Sequence, residues 1–298
     1  MVLNRRHLMA SAMLGALPGR LANAAETSPV VMARSREWQM PGSSGPCRIR
    51  LAWPEAPPPA AGHPLLLILD GDAWFATAVE AQRATALRPQ SGRQDSERGG
   101  LVICALGFGT DALDEVRRRR NLDYTPPAPE APPGTGGGDA LLDFIETSLL
   151  PQLGLPIDPD RRALFGHSYG GLLALHAFFT RPTLFAGTVA ASPSIWWHKA
   201  AVLQTAQRFI DAPPPNTAAR RLLLTAGELE QAGAPSTTPE SAARLRQTMM
   251  VERSQALAER LAAMPAGPKV QFTLFAGEDH GTVVSAALAR AVRFASAG

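Results

Sequence analysis

Cysteine is scarce in this 298-residue sequence, which has only Cys47 and Cys104. Neither stands at ligand spacing from another cysteine or from a histidine, which argues against a zinc site. Cys104 lies in the apolar run GLVICALG, which is typical of a buried strand, so we expect a free thiol there. A Cys47–Cys104 disulfide is the alternative, because an oxidising compartment would permit it. We expect no protein-bound metal and no organic cofactor.

Beyond its first two dozen residues, the sequence has no apolar run long enough to span a membrane. Residues 1–24 have a basic start, a short apolar stretch and small residues spaced A-x-A, the pattern of a cleaved secretory signal. The Arg5-Arg6 pair favours twin-arginine export, with Sec export as the alternative. We therefore expect residues 25–298 to be a single periplasmic domain with no stable membrane anchor.

A net charge is also missing from the expected mature chain. The full sequence has 29 basic and 26 acidic residues, and the signal segment holds three arginines and no acid. Without that segment 26 basic residues remain, equal to the number of acidic ones. A general nucleic-acid binder would keep a positive excess, so we expect no nucleic-acid partner. The run Arg117 to Arg120 is a local exception.

Short apolar runs alternate with helical segments along the rest of the chain. The runs PLLLILDG, GLVICALG and RRALFGHS read as strands buried on both faces, because they are apolar throughout and end at turn residues. Such alternation predicts an α/β fold with a mostly parallel central sheet and helices on both faces. Predicted strands also cover 30–40, 47–53, 184–192 and 219–228, and the segment 269–281 is predicted to be the last strand and its exit loop. Predicted helices cover 73–87, 139–150, 169–179, 240–264 and 282–294.

The segment GHSYG places Ser168 between a buried strand and an apolar helix. Glycines surround it, as a sharp strand-to-helix elbow requires, and such a turn exposes the serine at the top of the sheet. The start of the following helix offers free N–H groups for an oxyanion. Ser168 is therefore predicted to be a nucleophile rather than a turn serine. The Tyr169 N–H is the first oxyanion donor, and the N–H of Gly71 or Asp72, after the first buried strand, is the second.

A nucleophilic serine needs a base, which in hydrolases of this chain order is a histidine after the last strand. His280, in GEDHG, has that place. The acid that orients it is expected after the preceding strand, where Glu228 follows at once and Glu230 two residues later. We favour Glu228, with Glu230 and a Ser-His pair without an acid as alternatives.

Five segments of the sequence carry a further signal when taken together. They are LDGDAWF, RRRRNLDYTPP, FGHSYGGLLALHAFF, VAASPSIWWH and GEDHGTVV. Together they resemble the Putative esterase branch of the α/β-hydrolases, in particular periplasmic trilactone esterases of catecholate siderophores. The resemblance extends over about residues 30–294.

The resemblance implies Ser168 as nucleophile and His280 as base, with the Ser-His pair carrying most of the catalysis. It also implies that Arg119 or Arg120 faces the site and assists the oxyanion or an acidic substrate group. Trp196 and Trp197 follow a strand end near the site, where aromatic faces can stack on catechol rings, or alternatively pack the core. The long loop PPAPEAPPGTGGG departs from the family pattern.

These features predict a serine esterase that opens the ester backbone of a catecholate siderophore through an acyl-serine intermediate. Its partner would be a small-molecule ester, with a ferric catecholate siderophore as the candidate. The alternatives are a general carboxylesterase, an acyltransferase of the same fold, and a siderophore-binding protein without turnover.

Overall fold

In a computed structural model of the chain, the residues described are 30–86, 100–235 and 238–297. The segment predicted to be an export signal therefore lies outside the described residues. The chain divides into a segment of residues 1–33 and a compact unit of residues 34–298, and the following description concerns that unit.

One eight-stranded sheet forms the centre of this unit, in the order β1-β2-β4-β3-β5-β6-β7-β8. The pairings β1–β2 and β2–β4 are antiparallel and all others are parallel. The strands are β1 (Ser35–Gly42), β2 (Gly45–Ala52), β3 (His63–Leu69), β4 (Val102–Gly107), β5 (Ile157–His167), β6 (Gly187–Ala191), β7 (Arg221–Gly227) and β8 (Lys269–Phe275).

Helices follow the strands from β3 onwards. They are α1 (Gly71–Ala86), α2 (Leu113–Asp123), α3 (Gly138–Phe144), α4 (Tyr169–Thr180), a short turn α5 (Trp197–Ala200), α6 (Val202–Asp211), α7 (Pro239–Thr248), α8 (Met250–Ala262) and α9 (Val283–Ser296). A π turn, Ile145–Leu149, extends α3, and a single 3₁₀ turn, Glu228–Glu230, follows β7.

The central strands are buried on both faces, as their unbroken apolar runs predict. Every residue of β3 and of β4 is buried. Helix α4 is buried on nearly all sides, because Leu173 and Ala174 contact one hydrophobic cluster while Leu172 and Phe178 contact the other. The predicted α/β-hydrolase fold, with a mostly parallel sheet, is therefore confirmed.

Several predicted boundaries differ from the structure. The first strand begins at Ser35 rather than at residue 30. The single helix predicted over 240–264 is two helices, separated at Met249, which has a left-handed backbone (φ 46°). Helix α2 was not predicted, since its arginines obscure any apolar periodicity.

The cysteines are both free and buried, so the expectation of a free thiol is confirmed and the alternative disulfide is wrong. Cys104 pairs with Leu51 in the β2–β4 register, away from Cys47. Burial raises the pKa of the Cys104 thiol to about 12. Within the described ranges, no helix is long and apolar enough to cross a membrane, and no cluster of three metal-ligating side chains occurs.

The elbow between β5 and α4 depends on Gly166. A Cβ atom there would lie 2.0 Å from the carbonyl oxygen of Gly170, a backbone atom that cannot move without displacing α4. We therefore expect Gly166→Ala to lower the melting temperature by several degrees or to prevent folding, since ~1 kcal/mol corresponds to ~2–4 °C at this chain length. Gly233→Ala is the control, because no atom lies within 4 Å of the added Cβ. Equal melting temperatures for the two variants would contradict this account.

Candidate active site

Ser168 occupies the tight turn between β5 and α4 with a strained backbone, φ 58° and ψ −117°. Such a conformation is costly for a residue with a side chain and persists only where its surroundings impose it. Two neighbouring contacts do so: the Ser168 N–H donates to Ala191 O at 3.0 Å, and the Ser194 N–H donates to Ser168 O at 3.1 Å. The turn thus fixes the serine beside the end of β6.

His280 lies within hydrogen-bonding distance of Ser168. Its Nε2 atom is 3.1 Å from the Ser168 Oγ, although the two residues are 112 positions apart in the chain. The loop after β8 carries His280, as the sequence predicts. A neutral imidazole at this distance can accept the proton of the hydroxyl as it attacks a carbonyl carbon. Ser194 Oγ lies 3.4 Å from the same oxygen.

The carboxylate beside His280 belongs to Glu230, not to Glu228. Glu230 Oε1 is 3.3 Å from His280 Nδ1 and accepts a hydrogen bond from Ser192 Oγ at 2.9 Å. The Glu230 side chain is only 3% exposed. Its other oxygen, Oε2, is buried and has no hydrogen-bond partner among the described residues. Ser168, His280 and Glu230 are therefore arranged as a catalytic triad.

Glu228, the acid favoured from sequence, has a different contact. Its Oε2 accepts a hydrogen bond from the N–H of Gly277 at 2.8 Å, and the Leu229 N–H donates to Glu278 O at 3.0 Å. These bonds join the loop after β7 to the loop that carries His280. The prediction of Glu228 as the orienting acid is wrong because the 3₁₀ turn after β7 directs the first glutamate to the neighbouring loop and the second inward.

His167, directly before the nucleophile, packs against His280 with ring centroids 4.6 Å apart. Burial lowers the pKa of His167 to about 3, and repulsion by a protonated His280 and by Arg120 acts in the same direction. At neutral pH it is therefore an uncharged ring beside the imidazole of His280. It is a packing residue, because a group with so low a pKa is a poor proton acceptor at that pH.

The two arginines named from the resemblance have opposite environments. Arg119 is 1% exposed, and its guanidinium donates to Pro46 O, Phe108 O and Ser44 Oγ. It therefore holds α2 against the β1–β2 turn, and its predicted role at the site is wrong.

Arg120 points towards the nucleophile elbow. It forms a two-bond ion pair with Asp70, with nitrogen–oxygen distances of 2.7 and 3.0 Å, and Asp70 lies beside the first turn of α4 at Gly170. Burial acts to lower the pKa of Arg120, but the charge of Asp70 outweighs it and raises the pKa above its ordinary value. Arg120 is therefore charged, and Asp70 neutralises it.

The oxyanion donors predicted from sequence lie on two helix starts. Tyr169 is the first residue of α4 and Gly71 the first of α1, and the first N–H groups of a helix have no partner within it. The Asp72 side chain turns away from the elbow, since its carboxylate accepts the Phe108 N–H at 3.0 Å. The second donor, Gly71 or Asp72, stays a prediction.

A small cleft opens in front of Ser168. It has a volume of about 150 Å³ and is lined by Ser168, Ser194, Trp196, Glu230, Arg244, Leu245, Thr248, Met250 and His280. Trp196 is half-buried, and its ring centroid is 6.2 Å from that of Tyr169. Trp197, by contrast, is 4% exposed and packs in the core, so its predicted role in binding is wrong.

Arg244, on α7, is a cleft residue that sequence reasoning missed. Its side chain is exposed and, within the described ranges, has no carboxylate within ion-pair distance. Burial raises the pKa of the Tyr169 phenol, while the positive charges of Arg120 and Arg244 oppose that rise, so both cations lie near this ring. Ser192 and Ser194 were also missed, although the segment SPS after β6 could have indicated them.

Comparison with known proteins shows the family to which this chain is similar. Residues 43–265 match the model of the family described as "Putative esterase". The chain is 33% identical to the ferri-bacillibactin esterase BesA of Bacillus subtilis, with 83% of each chain covered. It is 35% identical to a siderophore enterobactin esterase of Emericella nidulans, over 87% of this chain and 92% of that protein.

A solved structure has a similar overall fold. The siderophore hydrolase EstB from Aspergillus nidulans superposes with a TM-score of 0.78 at 32% identity, over 90% of this chain and 97% of that one.

The two glutamates after β7 provide a test of the acid. We expect Glu230→Gln to lower kcat for a p-nitrophenyl ester on the order of 10²-fold, because the imidazolium loses its buried counter-charge. Glu228→Gln is the matched control: its amide oxygen can still accept the Gly277 N–H, so kcat should stay within about twofold of wild type. A larger loss in Glu228→Gln than in Glu230→Gln would contradict the assignment.

Proposed function

The chain belongs to the Putative esterase family of α/β-hydrolases, and we propose that it hydrolyses the ester backbone of a siderophore through an acyl-serine intermediate. The observation that carries the proposal is the 3.1 Å contact between His280 Nε2 and the Ser168 Oγ at the strained elbow. This contact supplies both the nucleophile and the base that ester hydrolysis requires.

The reaction follows from the arrangement of the three side chains. Ser168 Oγ attacks the ester carbonyl carbon while its proton passes to His280 Nε2, and Glu230 stabilises the imidazolium. The N–H groups at the start of α4 hold the developing oxyanion. His280 then returns the proton to the leaving alkoxide, and an acyl-serine remains. Water, deprotonated by His280, then attacks the acyl carbon. The bond to Ser168 Oγ breaks, His280 returns the proton to that oxygen, and the acid is released.

The substrate class is supported by the relatives and by the cleft. The two curated relatives and the solved structure reported above are named for ferri-bacillibactin, enterobactin and siderophores. Tyr169 and Trp196 offer aromatic faces beside Ser168, which suit the rings of a catecholate. Arg244 adds an unneutralised positive charge at the cleft, which suits its phenolate oxygens. Iron would enter as part of the substrate.

We place the mature protein in the periplasm. The support is the N-terminal pattern of Arg5-Arg6, a short apolar stretch and small residues at an A-x-A site. A siderophore esterase there would meet its substrate after import across the outer membrane.

The experiment for the proposed function measures hydrolysis of a cyclic triserine catecholate, with and without iron, beside p-nitrophenyl butyrate. We expect opening of the lactone ring by the wild type and a loss of at least about 10³-fold in Ser168→Ala, because the nucleophile is gone. Product analysis by mass spectrometry distinguishes linear fragments from acyl transfer to an added alcohol.

Three results would replace the proposal. Turnover of the simple ester alone would favour a general carboxylesterase, and transfer to the alcohol would favour an acyltransferase. Tight siderophore binding without turnover, unchanged in Ser168→Ala, would favour a binding protein.

Arg244 gives a separate prediction about the substrate. Arg244→Gln should raise KM for the iron-loaded, anionic catecholate about two- to fivefold, since an exposed ion pair contributes up to ~1 kcal/mol. The effect should fade at high salt, and kcat/KM for the neutral p-nitrophenyl ester should be unchanged.

Arg246→Gln is the matched control, because Arg246 is exposed on the same helix and is not a cleft-lining residue. Equal effects of the two substitutions would mean that only the overall charge of α7 matters.

A further inference from the structure

We propose that Ser192 is a positioning residue of this site, whose hydroxyl holds the Glu230 carboxylate in place against His280; the proposal rests on the esterase function proposed above. Ser192 is the first residue after β6 and is fully buried. It lies outside the nucleophile elbow and does not line the cleft, so its effect would pass through Glu230.

The hydrogen-bonding pattern of Glu230 is uneven. Its Oε1 atom receives both contacts, from Ser192 Oγ at 2.9 Å and from His280 Nδ1 at 3.3 Å, while Oε2 has no partner among the described residues. A buried carboxylate needs hydrogen-bond donors to remain charged. The hydrogen bond that Ser192 donates to Glu230 therefore does not depend on the orientation of His280.

The same bond fixes the rotation of the carboxylate. The last torsion of a glutamate side chain is broad, so Oε1 and Oε2 exchange easily when neither is held. With Oε2 unpartnered, only the contacts to Oε1 select one orientation of the plane. The Ser192 hydroxyl thus presents a pre-oriented oxygen to the imidazole, which costs no reorganisation when the imidazole becomes charged.

The backbone of Ser192 supports this reading. It has a left-handed conformation, φ 41°, and its N–H donates to Thr225 O on β7 at 2.7 Å. Strand β7 leads directly into the turn that carries Glu230. A glycine would adopt this φ without strain, so the serine side chain brings a cost that its hydrogen bond offsets.

A double-mutant cycle tests the proposal. Ser192→Ala and Ser192→Gly both remove the hydroxyl, but glycine suits the left-handed backbone and alanine does not. Each is combined with Glu230→Gln, and kcat and KM are measured with p-nitrophenyl butyrate. Ser254→Ala is the control, because Ser254 is equally buried and its hydroxyl has no hydrogen-bond partner among the described residues.

We expect both Ser192 variants to lower kcat about tenfold with little change in KM. When Glu230 is already replaced by glutamine, either Ser192 substitution should lower kcat by no more than about twofold further. The control should stay at the wild-type kcat. If kcat differs between Ser192→Ala and Ser192→Gly as their backbone strain does, Ser192 is only structural and the proposal is wrong. The same conclusion follows if the substitutions lower kcat equally with and without Glu230.

Proton NMR gives a reading that does not depend on turnover. The Nδ1 proton of His280, held against Glu230, should give a downfield resonance that broadens or disappears in both Ser192 variants and persists in Ser254→Ala. If the resonance is lost in the Ser192 variants but the wild type has no esterase activity, the result would count against the proposed function and still support the positioning role of Ser192. An unchanged resonance in the Ser192 variants would overturn the positioning role, whatever the activity.

Discussion

The strained backbone of Ser168 is the constraint on which the rest of the site depends. A residue with φ 58° and ψ −117° is unfavourable by ~1–3 kcal/mol, and the fold must supply that energy elsewhere. It does so through the buried strands on either side of β5 and through hydrogen bonds that join the elbow to the end of β6. The conformation directs the hydroxyl away from the sheet and places the first N–H groups of α4 behind it.

The buried charge of Glu230 is the second requirement. A carboxylate removed from water is expensive unless it is paired and hydrogen-bonded, and its desolvation penalty is several kcal/mol. Here a serine hydroxyl and an imidazole share one oxygen. Such a carboxylate is a modest acceptor while the imidazole is neutral and a strong partner once the imidazole gains a proton. The site is therefore complementary to the imidazolium that forms at His280 when the serine proton is transferred.

Local sequence patterns were sufficient to predict the fold and to select Ser168 and His280 as the candidate nucleophile and base. Apolar runs bounded by turn residues identified the buried strands, and chain order with flanking glycines identified Ser168 and His280. These signals are robust because they depend on backbone geometry and on which strand a residue follows. They do not depend on the direction of a single side chain.

The wrong predictions of site residues all involve a choice between near neighbours in the sequence. Glu228 and Glu230 are separated by one residue of a 3₁₀ turn, and Arg119 and Arg120 are adjacent on α2. Successive helical residues point about 100° apart, so one arginine enters the β1–β2 turn while the next faces the elbow. The sequence around the two arginines is the same whichever of them faces the elbow, so only the packing of the helix decides between them.

The distribution of the site over the fold has a consequence for substrate choice. Ser168, Glu230 and His280 lie in the turns that follow β5, β7 and β8, where the sheet fixes their mutual distances. Arg244 instead projects into the cleft from α7, which lies in the connection between β7 and β8. A change in this helix can alter the charge and shape of the cleft without moving the nucleophile, so one catalytic arrangement can serve esters of different structure.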